Sequence, residues 1–471
     1  MASKLLKLAR YEAESEFEVL LESSFSDFES RLRPPFCLNI PASSEYCRLN
    51  ESILYGILTQ PELATTHIKH LHGIVNDGYA FFVSLVVNLV NEAYDKLLDS
   101  VKMQLVLVVK EIVNVLGAGF DGLIVSLLRR VYGGNFQDGN LWLCFELVSL
   151  FLRQWDCFVE EEPMLLTNGL YVFLRILSDH SKISGDVKLE SLRKLEVEFC
   201  VKVLREQLIL CIKMGRDLVR LLLDVFHVPE IKSIWTDMVF FPEKFKTPCF
   251  YGFSQLYFNR TPSVFFLLRI SPEMEIQLRF MMMQVKFGNQ GRYQNWFTKR
   301  FLGVPELETV LVDIVRFICC AHHPSNETLQ SEIIPRWAII GWLLTCCTKN
   351  YIAASMKLAL FYDWLFFDER LDKIMNIEPA VLLIIHSIPQ YINITHSLLD
   401  FLLILAENYD MDNKRIVLKG LSSAFNSIVE KQVVPSLDVL TSSSAISPSI
   451  RGRVRKLFLK LDLRTQKQLL V

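Results

Sequence analysis

The chain has 471 residues, of which 51% are hydrophobic, and its 50 Lys+Arg and 52 Asp+Glu residues give a net charge of -2. This balance excludes a polycation that coats nucleic acid over its whole length, and the apolar content excludes global disorder. The length suits two or three domains or one continuous repeat array.

The opening segment Met1–Ser24 predicts no secretory leader, because glutamates interrupt any apolar run in it. The eleven cysteines form no CxxC pair, which favours free thiols in a reducing compartment. The longest apolar runs fall short of the ~18–20 residues that a membrane-spanning helix needs, so no membrane association is predicted. These runs are Tyr79–Val90, Trp337–Cys347 and Ala380–Ile388.

Helical periodicity dominates the chain. Met103–Leu116 places apolar residues three and four positions apart on one stripe, and Val197–Phe226 repeats this pattern over a longer span. His396–Tyr409 and Lys414–Val433 show it again, and no alternating run bounded by hairpin turns indicates a strand. An all-α protein is therefore predicted.

Helix boundary signals lie between these segments. Gly117 and Gly119 are predicted to end one helix and Gly133–Asn140 another, while Ser325 or Asn326 is suited to begin one. Helix pairs joined by short turns predict a HEAT/armadillo-like α-solenoid of packed helix pairs. Prolines suited to a first helical turn are Pro305, Pro335 and Pro379.

The segment Ala359–Asp368, "ALFYDWLFFD", contains five aromatic residues and two aspartates. A helix that is apolar on all sides is buried among other helices or in lipid, and the run is too short for lipid. We predict that Trp364 lies in the central layer of the array. Asp363 is predicted to be a partner within the helix or an N-cap, because Asp363 and Asp368 lack the cleft that acid–base catalysis requires.

The motif "GAGFDG" (Gly117–Gly122) matches the GxGxxG pattern of dinucleotide-binding proteins. That pattern needs a preceding strand, whereas an amphipathic helix is predicted here. We therefore interpret Gly117–Gly122 as a junction between two helices. No cofactor and no catalytic constellation are predicted.

The cluster "CCAHH" (Cys319–His323), with Cys346 and Cys347 further on, contains residue types that bind zinc. Adjacent duplicates are not a ligand spacing, and both cysteine pairs lie in apolar helical runs, so we predict no metal. A second group, predicted to be solvated, comprises His67, His70 and His72.

The segment Arg279–Leu302, "RFMMMQVKFGNQGRYQNWFTKRFL", interleaves cations with aromatic residues and contains no acidic residue. Three interpretations remain open. The aromatic residues form a core beneath solvated cations, the segment binds a single strand by stacking and phosphate contacts, or it binds a protein partner. The candidate partner or nucleic-acid surface consists of Arg279, Lys286, Arg292, Tyr293, Trp296, Lys299 and Arg300.

The basic amphipathic segment Ser447–Gln468 is predicted to cap the array, with binding of an anionic partner as the alternative. Its apolar stripe consists of Val454, Leu457, Phe458 and Leu461.

Several blocks resemble the Integrator complex subunit 3 family, whose members are also called SOSS-A. They are "MMQVKFGNQGRYQNWF", "AHHPSNETLQSEIIPRWAIIGWLLT", "AASMKLALFYDWLFFD", "IMNIEPAVL" and "SSAFNSIVEK". The resemblance divides the chain into an N-terminal helical segment 1–50, the α-helical N-terminal domain of the family at 51–463, and an unmatched tail 464–471. Members of the family are generally much longer and have a second helical half.

The resemblance implies a non-enzymatic nuclear scaffold of a SOSS-like complex, with the cytoplasm left open as a further location. Its partners would be an OB-fold single-stranded-DNA-binding protein, a small SOSS-C-like protein and other Integrator subunits. It implies roles in the DNA damage response and in small nuclear RNA 3′ processing, with nucleic acid contacted mainly through partners. A direct single-strand binder that uses Arg279–Leu302 remains the alternative.

Overall fold

The computed structural model of the chain describes residues 3–7, 15–33, 41–248 and 250–461. It divides into two compact units, one formed by Met1–Val131 with Gln137–Gly169, and the other by Tyr132–Phe136 with Leu170–Val471. No sequence signal indicated this division. Its boundaries at residues 50 and 463 stay predictions, and the tail 464–471 lies outside the described residues.

The helices of the first unit follow one another with short connections. They are α1 (Glu16–Phe28), α2 (Ser43–Thr59), α3 (Ala64–Ile74), α4 (Ala80–Ala93), α5 (Asp99–Asn114), α6 (Phe120–Leu128), α7 (Asp138–Arg153), α8 (Trp155–Glu160) and the first part of α9 (Pro163–His180).

The second unit contains the remainder of α9 and sixteen further α-helices in the described residues. They are α10 (Val187–Glu206), α11 (Leu208–Cys211), α12 (Arg216–Asp224), α13 (Pro229–Phe240), α14 (Ser263–Leu267), α15 (Pro272–Gln284), α16 (Gly291–Phe301), α17 (Val310–Cys320), α18 (Asn326–Leu329), α19 (Arg336–Cys346), α20 (Asn350–Phe361), α21 (Glu378–His386), α22 (Ile392–Asn408), α23 (Lys414–Glu430), α24 (Val439–Ser442) and α25 (Pro448–Lys460).

Helices that are close in sequence pack against one another. In the first unit α2 packs on both α1 and α3, and in the second unit α22 packs on both α21 and α23. The described residues contain two isolated β-bridges and no strand, so the prediction of an all-α solenoid of packed helices is confirmed. None of the described helices is both long and apolar enough to cross a lipid bilayer.

The boundary signals were largely correct. Ser325 is the N-cap of α18 and accepts a hydrogen bond from the Thr328 backbone N–H at 3.3 Å. Pro379 is in the first turn of α21, but Pro335 is the residue before α19 and not its first residue. Helix α25 buries the predicted C-terminal stripe, which consists of Val454, Leu457, Phe458 and Leu461.

The segment Val197–Phe226, which the periodicity predicted as one helical span, is broken in two places. Helix α10 ends at Glu206, and a new helix, α12, begins after Gly215. Gly215 has φ 67°, and a Cβ atom there would lie 2.5 Å from the Asn259 carbonyl oxygen. The break lets the Arg216 N–H bond to that oxygen at 2.8 Å, a contact that local periodicity cannot reveal.

The aromatic segment Ala359–Asp368 lies in the core, as predicted. Helix α20 ends at Phe361, a 3-10 turn follows over Tyr362–Trp364, and Trp364 is 0% exposed. The indole N–H of Trp364 donates to the Ile377 carbonyl oxygen at 3.2 Å. The segment is therefore packed against protein on all sides.

The prediction that Asp363 is an N-cap or a partner within its own helix is wrong. Its carboxylate accepts from Arg316 at 2.7 Å and from Arg216 at 3.3 Å. Arg316 also donates to Asp217 at 2.8 Å, and Arg216 donates to Asp372 at 3.1 Å. All five side chains are buried, so this ion-pair network links α12 and α17 to the segment after α20 inside the core.

The short segment Tyr132–Phe136 packs within the second unit, although the chain on both sides of it belongs to the first. A Cβ atom at Gly134 would lie 2.2 Å from the Glu306 carbonyl oxygen, and one at Gly133 would lie 2.7 Å from the Asp179 carboxylate. The two glycines are therefore required by close approach, and "GGNFQDGN" is more than a helix terminator.

The prediction that the first histidine group is solvated is wrong for two of its members. His67 is 1% exposed and His70 is 7% exposed, because α3 turns both toward the core of the first unit. His67 Nε2 lies 3.0 Å from Gln60 Oε1. His72 is half-buried and contacts Tyr79 at 2.8 Å and Glu111 at 3.1 Å. The polar character of histidine favours exposure, but the helix face on which His67 and His70 lie is the buried one.

Buried His67 is expected to make the first unit sensitive to mild acid. Burial, together with the neighbouring His70, lowers the pKa of His67 to about 4, whereas an unfolded chain protonates histidine near pH ~6.5. Because the unfolded state takes up the proton first, the free energy of unfolding should fall as the pH drops from 6.5 toward 4.

Urea titrations at several pH values will test this prediction. His67→Gln, which keeps a polar group near Gln60, should make the free energy of unfolding depend less on pH. His227→Gln, at an exposed position of the second unit, is the control. An equal slope in His67→Gln and in the parent chain would contradict the assignment.

Candidate interaction surface

Helices α15 and α16 carry the predicted surface. Ser271 begins α15 by accepting a hydrogen bond from the Met274 backbone N–H at 3.1 Å, and Pro272 occupies the first turn. Phe297 and Phe301 of α16 are buried and fix this helix on the core. The side chains of α15 and α16 that do not face the core are therefore held at defined positions on the surface.

The connection between α15 and α16 is held by a short backbone pairing. The Phe287 N–H donates to the Glu332 carbonyl oxygen at 2.7 Å, and the Ile334 N–H donates to the Val285 carbonyl oxygen at 2.9 Å. Gly288 then adopts φ 99°, a conformation that favours glycine. This turn is thus anchored to the segment before α19.

Three of the five cations have acidic partners. Arg279 donates to Glu275 at 2.7 Å. Lys286 and Glu332 are 2.9 Å apart, and their hydrogen bond raises the pKa of Lys286 and lowers that of Glu332. The third pair, 3.1 Å apart, joins Arg300 and Glu273. Folding therefore supplies the acids that the segment itself lacks.

Arg292 and Lys299 are exposed and have no acidic partner within 4 Å in the described part of the chain. The Arg292 guanidinium lies 4.5 Å from the ring centroid of Tyr293 and bonds to its hydroxyl group. Trp296 is 44% exposed one turn before Lys299. Two unpaired cations and two accessible aromatic rings thus share this face.

An apolar stripe continues from this face along α15. Ile276, Met283 and Phe287 are exposed, and Phe280 contacts Tyr293 with ring centroids 5.4 Å apart. The interpretation of the aromatic residues as core therefore holds for part of the segment only. Exposed aromatic and methionine side chains beside arginine are typical of protein interfaces.

Three acidic residues that pair with Arg279, Lys286 and Arg300 were not predicted. Glu275 lies one helical turn before Arg279, so its pairing was visible as an i,i+4 spacing. Glu273 and Glu332 come from outside the segment, and Glu332 reaches Lys286 only through the backbone pairing before α19. No local signal could have identified that contact.

The cysteine–histidine cluster has the properties of a helix core. Cys319 and Cys320 are buried, and burial raises the pKa of Cys319 to about 12. Burial lowers the pKa of His322 to about 4, helped by nearby Arg279. His323 contacts Asn376 at 3.1 Å. No group of three or more side chains that could hold a metal ion occurs in the described residues.

The glycine motif Gly117–Gly122 forms the junction between α5 and α6, as predicted, and its last three residues begin α6. The Gly117 N–H bonds to the Ile112 carbonyl oxygen at 2.9 Å, and Gly119 has φ 85° just before α6. A helix precedes the motif where the dinucleotide-binding pattern requires a strand, so the interpretation as a helix junction is confirmed.

Comparison with known proteins gives a consistent result. The family model described as Integrator complex subunit 3 N-terminal matches residues 44–456. Integrator complex subunit 3 of Homo sapiens is 38% identical over 423 residues, which are 90% of this chain and 40% of the relative. The Danio rerio protein is 39% identical over 85% of this chain and 39% of its own length.

A more distant relative agrees with these. The Integrator complex subunit 3 homolog of Dictyostelium discoideum is 36% identical over 86% of this chain and 27% of its own length. The chain thus spans about two fifths or less of the length of these curated relatives. With a family model that matches most of its residues, the chain belongs to the Integrator complex subunit 3 family.

Proposed function

We propose that this chain is a non-enzymatic helical scaffold and a nuclear component of the Integrator complex, which acts on RNA polymerase II transcripts such as small nuclear RNAs. Family membership supports this assignment. Within the scaffold it holds an OB-fold single-stranded-DNA-binding protein and a small SOSS-C-like protein, and so serves the DNA damage response. Nucleic acid is contacted mainly through these partners.

The observation that carries the proposal is the charge of the predicted surface on α15, α16 and their connection, called here the α15–α16 face. It consists of Arg279, Lys286, Arg292, Tyr293, Trp296, Lys299 and Arg300. Three of its five cations are paired with carboxylates, which leaves Arg292 and Lys299 free to meet phosphates. Affinity for a single strand scales with the number of cations engaged, so two give weak and salt-sensitive binding. Exposed Trp296, Phe287 and Met283 supply the apolar contacts that a protein partner buries.

The experiment is a pull-down of an OB-fold single-stranded-DNA-binding protein by the full chain. We expect Arg292→Glu with Lys299→Glu to weaken assembly while circular dichroism stays unchanged, because both side chains are exposed and unpaired. The matched control is Lys456→Glu with Lys460→Glu, an equal change of charge at exposed positions of α25. Loss of assembly in both double variants would show that net charge, not this face, is responsible.

Titration of the chain alone with a single-stranded oligonucleotide distinguishes the scaffold from the second candidate function, which is direct binding of a single strand. Direct strand binding is favoured by the position of exposed Trp296 beside Lys299. In that case assembly survives the double substitution and the salt slope falls by about one unit for each lost phosphate contact. Tight, salt-dependent binding by the chain alone would overturn the scaffold proposal.

A further inference from the structure

A groove of about 1230 Å³ lies in the second unit, beside the α15–α16 face. Its walls come from the end of α15, the start of α16, the segment before α19, helix α19 itself and the region from α21 to α22. Small-molecule sites in proteins occupy roughly 300–1,000 Å³. The larger volume suits a segment of polypeptide.

Two tryptophans of α19 line this groove, Trp337 and Trp342. Trp337 stacks on His386 with ring centroids 4.7 Å apart, and Trp342 contacts Phe297 at 5.9 Å. Between them, the lining residues Ala338 and Gly341 have small side chains or none. Each indole therefore packs against another ring, which reduces the side-chain entropy that binding would cost.

The charged lining residues cancel in pairs. Lys286 and Glu332 are 2.9 Å apart, and the buried Arg336 bonds directly to Glu378. Apart from His386, whose ring stacks on Trp337, these four are the acidic and basic residues that line the groove in the described part of the chain. A neutral groove complements an uncharged ligand and offers no free cation to a phosphate backbone.

Several uncharged polar groups point to the kind of backbone that the groove accepts. In the described part of the chain, the indole N–H groups of Trp337 and Trp342 and the side-chain amides of Asn289, Gln294 and Gln390 are exposed or half-buried and form no hydrogen bond with protein atoms. A helical ligand already satisfies its own carbonyl groups. An extended ligand does not, and it would accept hydrogen bonds from these donors.

We propose that this groove binds an uncharged, proline-rich segment of a partner protein in the polyproline II conformation. Such a segment has no internal hydrogen bonds, so its carbonyl oxygens are free to accept from indole and amide groups. Its proline rings pack against aromatic side chains, and it loses little conformational entropy on binding. The assignment goes beyond the proposed scaffold function and uses residues of α19 that the α15–α16 face does not contain.

Fluorescence anisotropy of a labelled ten-residue polyproline peptide with the full chain tests the assignment. A ten-residue Gly-Ser peptide is the comparison. We expect the polyproline peptide to bind at least about tenfold more tightly, because the aromatic walls recognise proline. Its affinity should change less than about twofold between low and physiological salt, since the groove is neutral.

The substitution Ala338→Glu is expected to lower polyproline affinity at least tenfold, because it places a larger, charged side chain in the lining of the groove. Ala354→Glu, at a similarly half-buried position of α20 outside the groove, is the matched control. Should Ala338→Glu unfold the chain, Gln294→Ala with Gln390→Ala removes two donors from the rim and should lower the affinity several-fold. Arg292→Glu with Lys299→Glu should leave peptide binding intact, which separates this site from the α15–α16 face.

Four results would overturn the assignment. They are equal binding of the Gly-Ser peptide, no effect of either groove variant, tighter binding of an amphipathic helical peptide of equal length, and displacement of polyproline by an equimolar ten-nucleotide oligothymidine. The last result would identify the groove as a nucleic-acid site.

Discussion

Replacing Arg316 with methionine is expected to lower the free energy of unfolding by about 3–5 kcal/mol, because removing one partner of a buried ion pair leaves uncompensated charge. Arg316 donates to Asp363 at 2.7 Å and to Asp217 at 2.8 Å, and all three side chains are buried. Arg216 still neutralises Asp363 in the variant, whereas Asp217 retains Arg220 at 2.9 Å and the neutral Tyr171 hydroxyl at 3.1 Å.

Urea titration followed by tryptophan fluorescence measures this effect. The matched control is Arg453→Met, which breaks a half-exposed pair with Asp400 at 2.8 Å and should cost no more than ~1 kcal/mol. Arg316→Lys should fall between the two, because an ammonium group cannot bond to two carboxylates with the geometry of a guanidinium. A cost in Arg316→Met as small as in the control would show that the network contributes little.

The same substitution has a consequence for acid stability. Burial alone would raise the pKa of Asp363, but Arg316 and Arg216 lower it to about 2. A lowered pKa contributes stability above the unfolded value, near pH ~4, and this contribution is lost as the pH falls toward 2. Without Arg316 the pKa of Asp363 rises, so acid unfolding of the variant should begin at a higher pH than in the parent chain.

Replacing Trp364 with alanine is expected to cost about 3–5 kcal/mol, the range for truncating a large aromatic side chain in a packed core. The indole is 0% exposed and lies edge-on to Phe425, with ring centroids 5.0 Å apart, and to Phe361 at 5.8 Å. The variant also leaves the Ile377 carbonyl oxygen without its donor. The lost packing and the lost hydrogen bond both lower the free energy of unfolding.

Thermal unfolding of Trp364→Ala and Trp296→Ala gives the test. Trp296 is 44% exposed, so its truncation should change stability by less than about 1 kcal/mol. An unchanged midpoint in Trp364→Ala would refute its placement in the core. A large decrease in Trp296→Ala would show that the α15–α16 face is structural and not an interaction surface.

The helices could be predicted from the sequence because their signal is local. The stripe along Met103–Leu116 became α5, and Leu105, Val108, Val109 and Ile112 of that stripe are buried. The periodicity failed at Val197–Phe226, where the chain turns at Gly215 to meet Asn259. The reason is physical, since a distant backbone contact outweighs a continuous apolar pattern.

The partners of charged residues could not be predicted in the same way. Arg216 and Asp363 are 147 positions apart, and nothing near either residue indicates the pairing. The same limit applied to Lys286, whose acidic partner lies 46 positions away. Composition located the basic and aromatic segment correctly, but only the folded chain shows which of its cations remain unpaired.

The short segment Tyr132–Phe136 has a consequence for the order in which a newly made chain folds. The segment leaves the ribosome early, while Glu306, against which Gly134 packs, is synthesised much later. At about 5–20 residues per second the delay is on the order of ten seconds or more, and domains generally fold as units with the N-terminal one first. The first unit, which includes Gln137–Gly169, can therefore fold before the residues against which Tyr132–Phe136 packs have been synthesised. A larger residue at Gly134 would then act late, at the completion of the second unit, and leave the first unit to fold normally.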